Sequence, residues 1–118
     1  MSKTVHFAHS RLHAESDETE FIITEEYIQP QVRKTNSYMS TFEYTALIVA
    51  RILQLTSPGG APLISMSELG NDLDPLSIAT REIRMRLPSL VIRRTLNDGS
   101  IEDWLLNDKT NVLAFPRI

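Results

Sequence analysis

The stretch Asp74-Pro-Leu-Ser-Ile-Ala-Thr-Arg-Glu-Ile-Arg-Met-Arg-Leu-Pro88, continued by Ser89-Leu-Val-Ile-Arg-Arg-Thr-Leu-Asn-Asp-Gly-Ser-Ile-Glu-Asp-Trp-Leu-Leu106, changes its period halfway and so decides the fold class. The first half reads as a helix. Asp74 is a good N-cap, because its carboxylate can accept from free amides of the first turn, and Pro75 at the first helical place sacrifices no needed amide. Leu76, Ala79, Ile83 and Leu87 recur at steps of three, four and four, which makes one apolar face. Pro88 stops the helix. The second half reads as a hairpin: Leu90 to Thr95 is rich in β-branched and aliphatic residues, Asn97-Asp98-Gly99 tolerates positive φ, and Ser100 to Leu106 returns.

Upstream, Ser40 and Glu43 have the spacing of a capping box. The run from Phe42 to Leu55 continues as a helix, and Thr56-Ser-Pro-Gly-Gly60 ends it. Ala61 to Met66 reads as a short extended piece. Eight of the ten residues from Ala46 to Leu55 are apolar, and they point around nearly the whole helix. A helix that is greasy all round is buried on several sides, and one further helix with one hairpin is a small body for that purpose. The first helix is therefore expected to pack against another protein as well as its own second helix. The alternative is a fully enclosed core helix capped by the N-terminal arm.

Residues 1–38 differ in character. They hold six acids (Glu15, Asp17, Glu18, Glu20, Glu25, Glu26), four bases and all three histidines, with a short apolar patch at Phe21, Ile22, Ile23, Tyr27 and Ile28. They read as an acidic, largely disordered arm, either purely solvated or with a patch that becomes ordered on a partner. The expected organisation is an arm over 1–38, a domain over 39–106 and a C-terminal extension over 107–118. The fold class is α+β, with two main helices followed by a β-hairpin.

The chain has 118 residues, a net charge of -3 and no cysteine. That length suits one domain, and the acidic balance argues against a globally basic nucleic-acid binder. Disulfide frameworks, thiol catalysis and thiolate zinc sites are excluded. No apolar run approaches the ~20 residues of a membrane span, and the N-terminus does not read as a secretory signal.

A catalytic site is not supported. Histidine occurs only in the arm, where nothing rigid holds a base near a nucleophile. His6, His9 and His13 have helical spacing, but a metal site needs held ligands. Glu102 and Asp103, as strand neighbours, point to opposite faces and cannot share a proton. No cofactor is implied. Arg81, Arg84, Arg86, Arg93 and Arg94 form a cationic cluster within 14 residues. It suits acidic groups of a protein partner, a solvated face or nucleic-acid phosphates, in that order, because no aromatic residues interleave for base stacking. The last option amounts to a stand-alone nucleic-acid-binding module built on Arg81–Arg94.

Three blocks resemble a known family. Ser40-Thr-Phe-Glu43 with Ala50-Arg51-Ile-Leu-Gln54-Leu, Asp74-Pro75-Leu-Ser-Ile78-Ala79-Thr-Arg-Glu82, and Pro88 through Arg93-Arg94, Asp98-Gly99 and Trp104 are similar to the omega family of DNA-directed RNA polymerase subunits. That family comprises bacterial omega, archaeal subunit K and the small subunit shared by the nuclear polymerases. The double arginine and the acidic arm resemble the nuclear branch. The chain departs from the family pattern at Ala46, where an arginine is usual, at Pro88, one place early, and at Asn97, which replaces a proline. Residues 57–71 and 107–118 match poorly, which suggests a divergent lineage, such as a large DNA virus that encodes its own polymerase or an early-branching eukaryote.

The resemblance implies a non-catalytic subunit that clamps the largest polymerase subunit and promotes its folding and assembly. It would be present as one copy in a hetero-oligomer that meets DNA only through the complex. The expected location is the nucleus or, for a virus-encoded chain, a virion or cytoplasmic viral factory. Carried over by position, Thr41, Glu43, Arg51 and Gln54 belong to the first-helix interface. Asp74, Pro75, Ile78, Ala79 and Glu82 shape the second helix, and Arg93, Arg94, Asp98, Gly99 and Trp104 define the hairpin.

Overall fold

The computed structural model describes residues 20–28 and 33–117. Its element order is β1 (Glu20–Thr24), α1 (Thr41–Thr56), α2 (Met66–Leu69), α3 (Pro75–Arg84), β2 (Val91–Thr95) and β3 (Ile101–Leu105). The α+β reading holds, with α1 and α3 packed together against the sheet. His6, His9 and His13 lie outside the described residues.

The sheet has three strands rather than the two of a hairpin. β1 pairs antiparallel with β2, which pairs antiparallel with β3, so β2 is central. The patch at Phe21 to Ile23, read as part of a disordered arm, is thus ordered on its own chain. Burial explains why: Phe21 (4% exposed) and Ile23 (0%) join Leu47, Ala50, Ile83, Leu90, Ile92 and Trp104 in one core cluster. The residues on that face alternate along β1 as an antiparallel strand requires.

α1 begins where its capping box predicts. Ser40 Oγ accepts the Glu43 amide at 2.9 Å, and Glu43 Oε1 accepts the Ser40 amide at 2.9 Å. Its end is tight, since a Cβ at Gly60 would lie 2.1 Å from the Gln54 carbonyl oxygen. Ala61 to Met66 is not an extended piece. Ser65 instead caps α2 by accepting from the Glu68 amide, a Ser-x-x-Glu spacing that marks a helix start.

α3 starts as expected, with Asp74 as cap and Pro75 first. It stops at Arg84, short of Leu87, in a left-handed turn at Arg86 (φ 57°). The Leu87 amide reaches back to Glu82 O at 3.1 Å and the Arg86 amide to Ile83 O at 2.9 Å, the bond pattern of a Schellman cap. Pro88 forces this, because the residue before a proline avoids the helical region. The inward face is also rotated from the expected one: Ile78, Ala79, Glu82 and Ile83 are buried, whereas Leu76 is 55% exposed.

The C-terminal extension is built into the body. Met39 donates to Ala114 O and Ala114 to Ser37 O, both at 2.8 Å, in a short parallel bridge beside α1. Leu113 is in the core. Phe115 lies 4.2 Å under the Arg86 guanidinium and meets Tyr44 edge-on at 5.8 Å.

Candidate protein-partner interface

The sequence candidates divide into charges turned inward and an apolar surface left open. Arg94 and Arg93 are neighbours on β2, so they project to opposite faces of the sheet. Arg94, on the core face, forms a fork with Glu43 through Nε–Oε2 and Nη2–Oε1 contacts of 2.8 Å. Its other donors go to Thr35 Oγ1, Asn36 O and Tyr38 O, each at 2.8 Å. All five guanidinium hydrogens are thereby used.

On the other face, Arg93 clasps Asp103 bidentately at 2.8 and 2.9 Å and donates to Glu26 O. The hydrogen bond to Asp103 raises the Arg93 pKa against the opposing effect of burial. Glu102 and Asp103 do face opposite ways, one across from Arg94 and one across from Arg93. Glu102 accepts from the amides of Lys34 and Thr35 and from the Thr35 hydroxyl. Burial pushes Glu102 up, but these donors and the Arg94 charge outweigh it and hold its pKa below the usual glutamate value.

Arg51 of α1 pairs with Glu82 of α3, both buried, and also donates to Gln54 Oε1 and Ala61 O at 3.0 Å. Gln54 in turn donates to Glu25. The Arg33 and Arg94 guanidinium groups lie 4.2 and 5.7 Å from the Trp104 ring centroid. Ile78 and Ala79 are buried; Thr41, Asp74, Asp98 and Gly99 are exposed, and Pro75 is half-buried. Gly99 has φ 87°, as its turn requires. Most of the residues carried over by resemblance are therefore placed where they hold the elements of this chain to one another.

The five arginines do not make one cationic surface. Arg93 and Arg94 are spent on carboxylates of opposite faces. Arg86 donates to the Leu106 and Leu113 carbonyls, and its burial lowers its pKa. Arg84 reaches Tyr44 Oη, and Arg81 reaches Glu68 O. This scattering removes the geometric basis for a nucleic-acid module on Arg81–Arg94. Among the described residues, no group of three or more His, Asp or Glu side chains is placed to hold a metal ion.

Among the described residues, the outer side of α1 is left open. Glu43, Leu47, Ala50 and Arg51 face inward. On the opposite side Phe42 is 65% exposed and Leu53 49%, with Val49 and Ile52 half-buried between them. Positions 42, 49, 52 and 53 fall on one side at 100° per residue. Among the described residues, β1 packs on the sheet and does not cover this stripe.

Relatives of the chain carry one consistent description. It is 40% identical over 81 residues, 69% of this chain, to the DNA-directed RNA polymerases I, II, and III subunit rpabc2 of Dictyostelium discoideum. It is 39% identical over 87 residues to the DNA-directed RNA polymerases II and V subunit 6B of Arabidopsis thaliana, covering 74% of this chain. The RPABC2 subunit of Saccharomyces cerevisiae is 36% identical over 86 residues, 73% of this chain. The chain resembles the small subunit shared among RNA polymerases. The similarity to the omega and archaeal K family read from the three sequence blocks thus holds. This chain spans about half the length of these relatives: 58%, 57% and 53%. No family model matches it.

Proposed function

We propose that the chain is a non-catalytic small subunit of a multisubunit DNA-directed RNA polymerase. It clamps the largest subunit and promotes that subunit's folding and assembly into the core. The observation that carries the reading is the apolar outer stripe of α1, exposed on a chain whose relatives bear polymerase-subunit names. Burying the remaining exposed surface of Phe42 and Leu53 is worth about 1 kcal/mol or more for each side chain. Such a surface acts by linkage: it binds the folded large subunit, does not bind the unfolded one, and so stabilises the folded form. Rigidity of the stripe comes from the inward charges, since α1 is tied to α3 by Arg51–Glu82 and to the sheet by Glu43–Arg94. The nucleus is the compartment that fits the named relatives, and a viral factory fits a virus-encoded polymerase.

Affinity purification of the tagged full chain from its native source, with mass spectrometry of stoichiometric partners, tests the proposal. Two very large polymerase subunits in about equal amounts are expected. A folded, monomeric chain recovered alone would overturn the reading.

A further inference from the structure

A second surface lies at the opposite chemical extreme from the arginine-rich β2. Residues 52–80 contain no lysine, arginine or histidine, and their charges are Glu68, Asp72 and Asp74. Within that span, Met66 (62% exposed), Leu73 (61%) and Leu76 (55%) stand in water around the corner between α2 and α3. The corner is a firm platform. Ile64, Leu69 and Ile78 are buried beneath it with Leu55 and Leu87 packed against them. The Asp72 amide closes the turn onto Leu69 O at 3.0 Å.

The carboxylates are also held in place. Asp72 accepts from the Ser77 hydroxyl and the Asp74 amide, and Asp74 caps α3. Arg81 extends a donor to Glu68 O at 3.4 Å, which ties α2 to the second turn of α3. Among the described residues, three exposed aliphatic side chains are thus interspersed with three carboxylates, and with Arg81 the one base that reaches them the corner keeps a net negative charge. Cationic groups gain from such a field, and aliphatic side chains gain from the exposed patch.

The geometry points to the α2–α3 corner as a docking site for a basic amphipathic helix of a partner protein. Leucine-like side chains of that helix cover Met66, Leu73 and Leu76, and its lysines or arginines face Glu68, Asp72 and Asp74. This site is separate from the outer stripe of α1 and does not depend on the assembly role.

The probe is a labelled Lys/Leu amphipathic peptide of about 18 residues, five helical turns, titrated into the full chain by fluorescence anisotropy. A Glu/Leu peptide of the same pattern serves as the charge control. Expected are binding of the basic peptide, no binding of the acidic one, and affinity that falls with added salt. L73S/L76S and E68Q/D72N are each expected to weaken binding about tenfold, the scale of a hot-spot contact. Circular dichroism checks that these surface variants fold. F42S/L53S, on the α1 stripe, retains full peptide binding. No binding of the basic peptide would overturn the inference. So would binding that survives both corner variants, or that is lost instead when Glu15, Asp17 and Glu18 of the arm are neutralised.

Discussion

Glu43 is shared between a helix start and a buried arginine: one carboxylate completes the capping box of α1 and receives both prongs of Arg94 from β2. The two residues are 51 positions apart. Their contact fixes where α1 begins relative to the central strand, and the remaining Arg94 donors tie down residues 35–38 just before the cap. A buried pair of this kind contributes modest net stability, because desolvation offsets much of the attraction, but breaking it leaves an uncompensated charge.

Arg94→Lys is therefore a severe change despite keeping the charge. An ammonium has three donors and no planar fork, so it cannot meet five acceptors spread around a guanidinium. The expected loss is about 3 kcal/mol, read as a lower midpoint in urea unfolding. A midpoint shift equivalent to less than ~0.5 kcal/mol, as for an ordinary surface change, would show that the fork is not what holds this junction.

Arg86 occupies a left-handed position that costs an L residue roughly 1–2 kcal/mol. Its side chain offsets that cost by holding the Leu106 and Leu113 carbonyls and stacking on Phe115. Arg86→Ala and Arg86→Gly both remove the clamp, but only the glycine relieves the backbone. Arg86→Gly is expected to be more stable than Arg86→Ala by about 1 kcal/mol in thermal or chemical unfolding. Equal stabilities would mean that the turn is unstrained.

Glu102 makes the junction acid-sensitive. Its folded pKa lies below the ordinary value, so the unfolded chain binds a proton more readily. Its contribution is present above the unfolded pKa, about 4.3, and is lost as pH falls through the still lower folded value. Amide exchange at Lys34 and Thr35, whose amides bond Glu102, should accelerate, relative to its intrinsic rate, as pH falls below about 4. In Glu102→Gln that added acid dependence should vanish. Persistence of the same acid dependence in the variant would assign it to another group.

Two variants of α1 separate folding from assembly. Phe42→Ser with Leu53→Ser alters side chains that are about half or more in water, so chain stability should fall by no more than about 2 kcal/mol. Co-purification of the large polymerase subunit should be lost. Arg51→Glu sets a second carboxylate against Glu82 in the buried space between α1 and α3. It should destabilise the chain itself by several kcal/mol, visible before any partner is added. Assembly that tolerated the double variant would move the interface off this stripe.

Local chemistry made much of this protein legible in its sequence. The Ser40–Glu43 box, the Asp74-Pro75 start and the Asp98-Gly99 turn each depend on residues within a few positions of one another, so pattern and structure agree there. Even the contrast of Glu102 with Asp103 follows from the period of a strand. β1 was hidden because Glu20–Thr24 is short, flanked by acids and paired with residues some 70 positions away. Leu113 and Phe115 were hidden for the same reason, lying in a segment with no period of its own.

The charged residues show the division most clearly. Sequence by itself determined which arginines and carboxylates stand on which element, and that α1 is apolar around most of its circumference. Only the tertiary structure decided that Arg51, Arg93 and Arg94 turn inward to Glu82, Asp103 and Glu43 while Phe42 and Leu53 face water. A guanidinium has equal need of a carboxylate wherever one is supplied, and its choice is set by which strands and helices the core brings within reach.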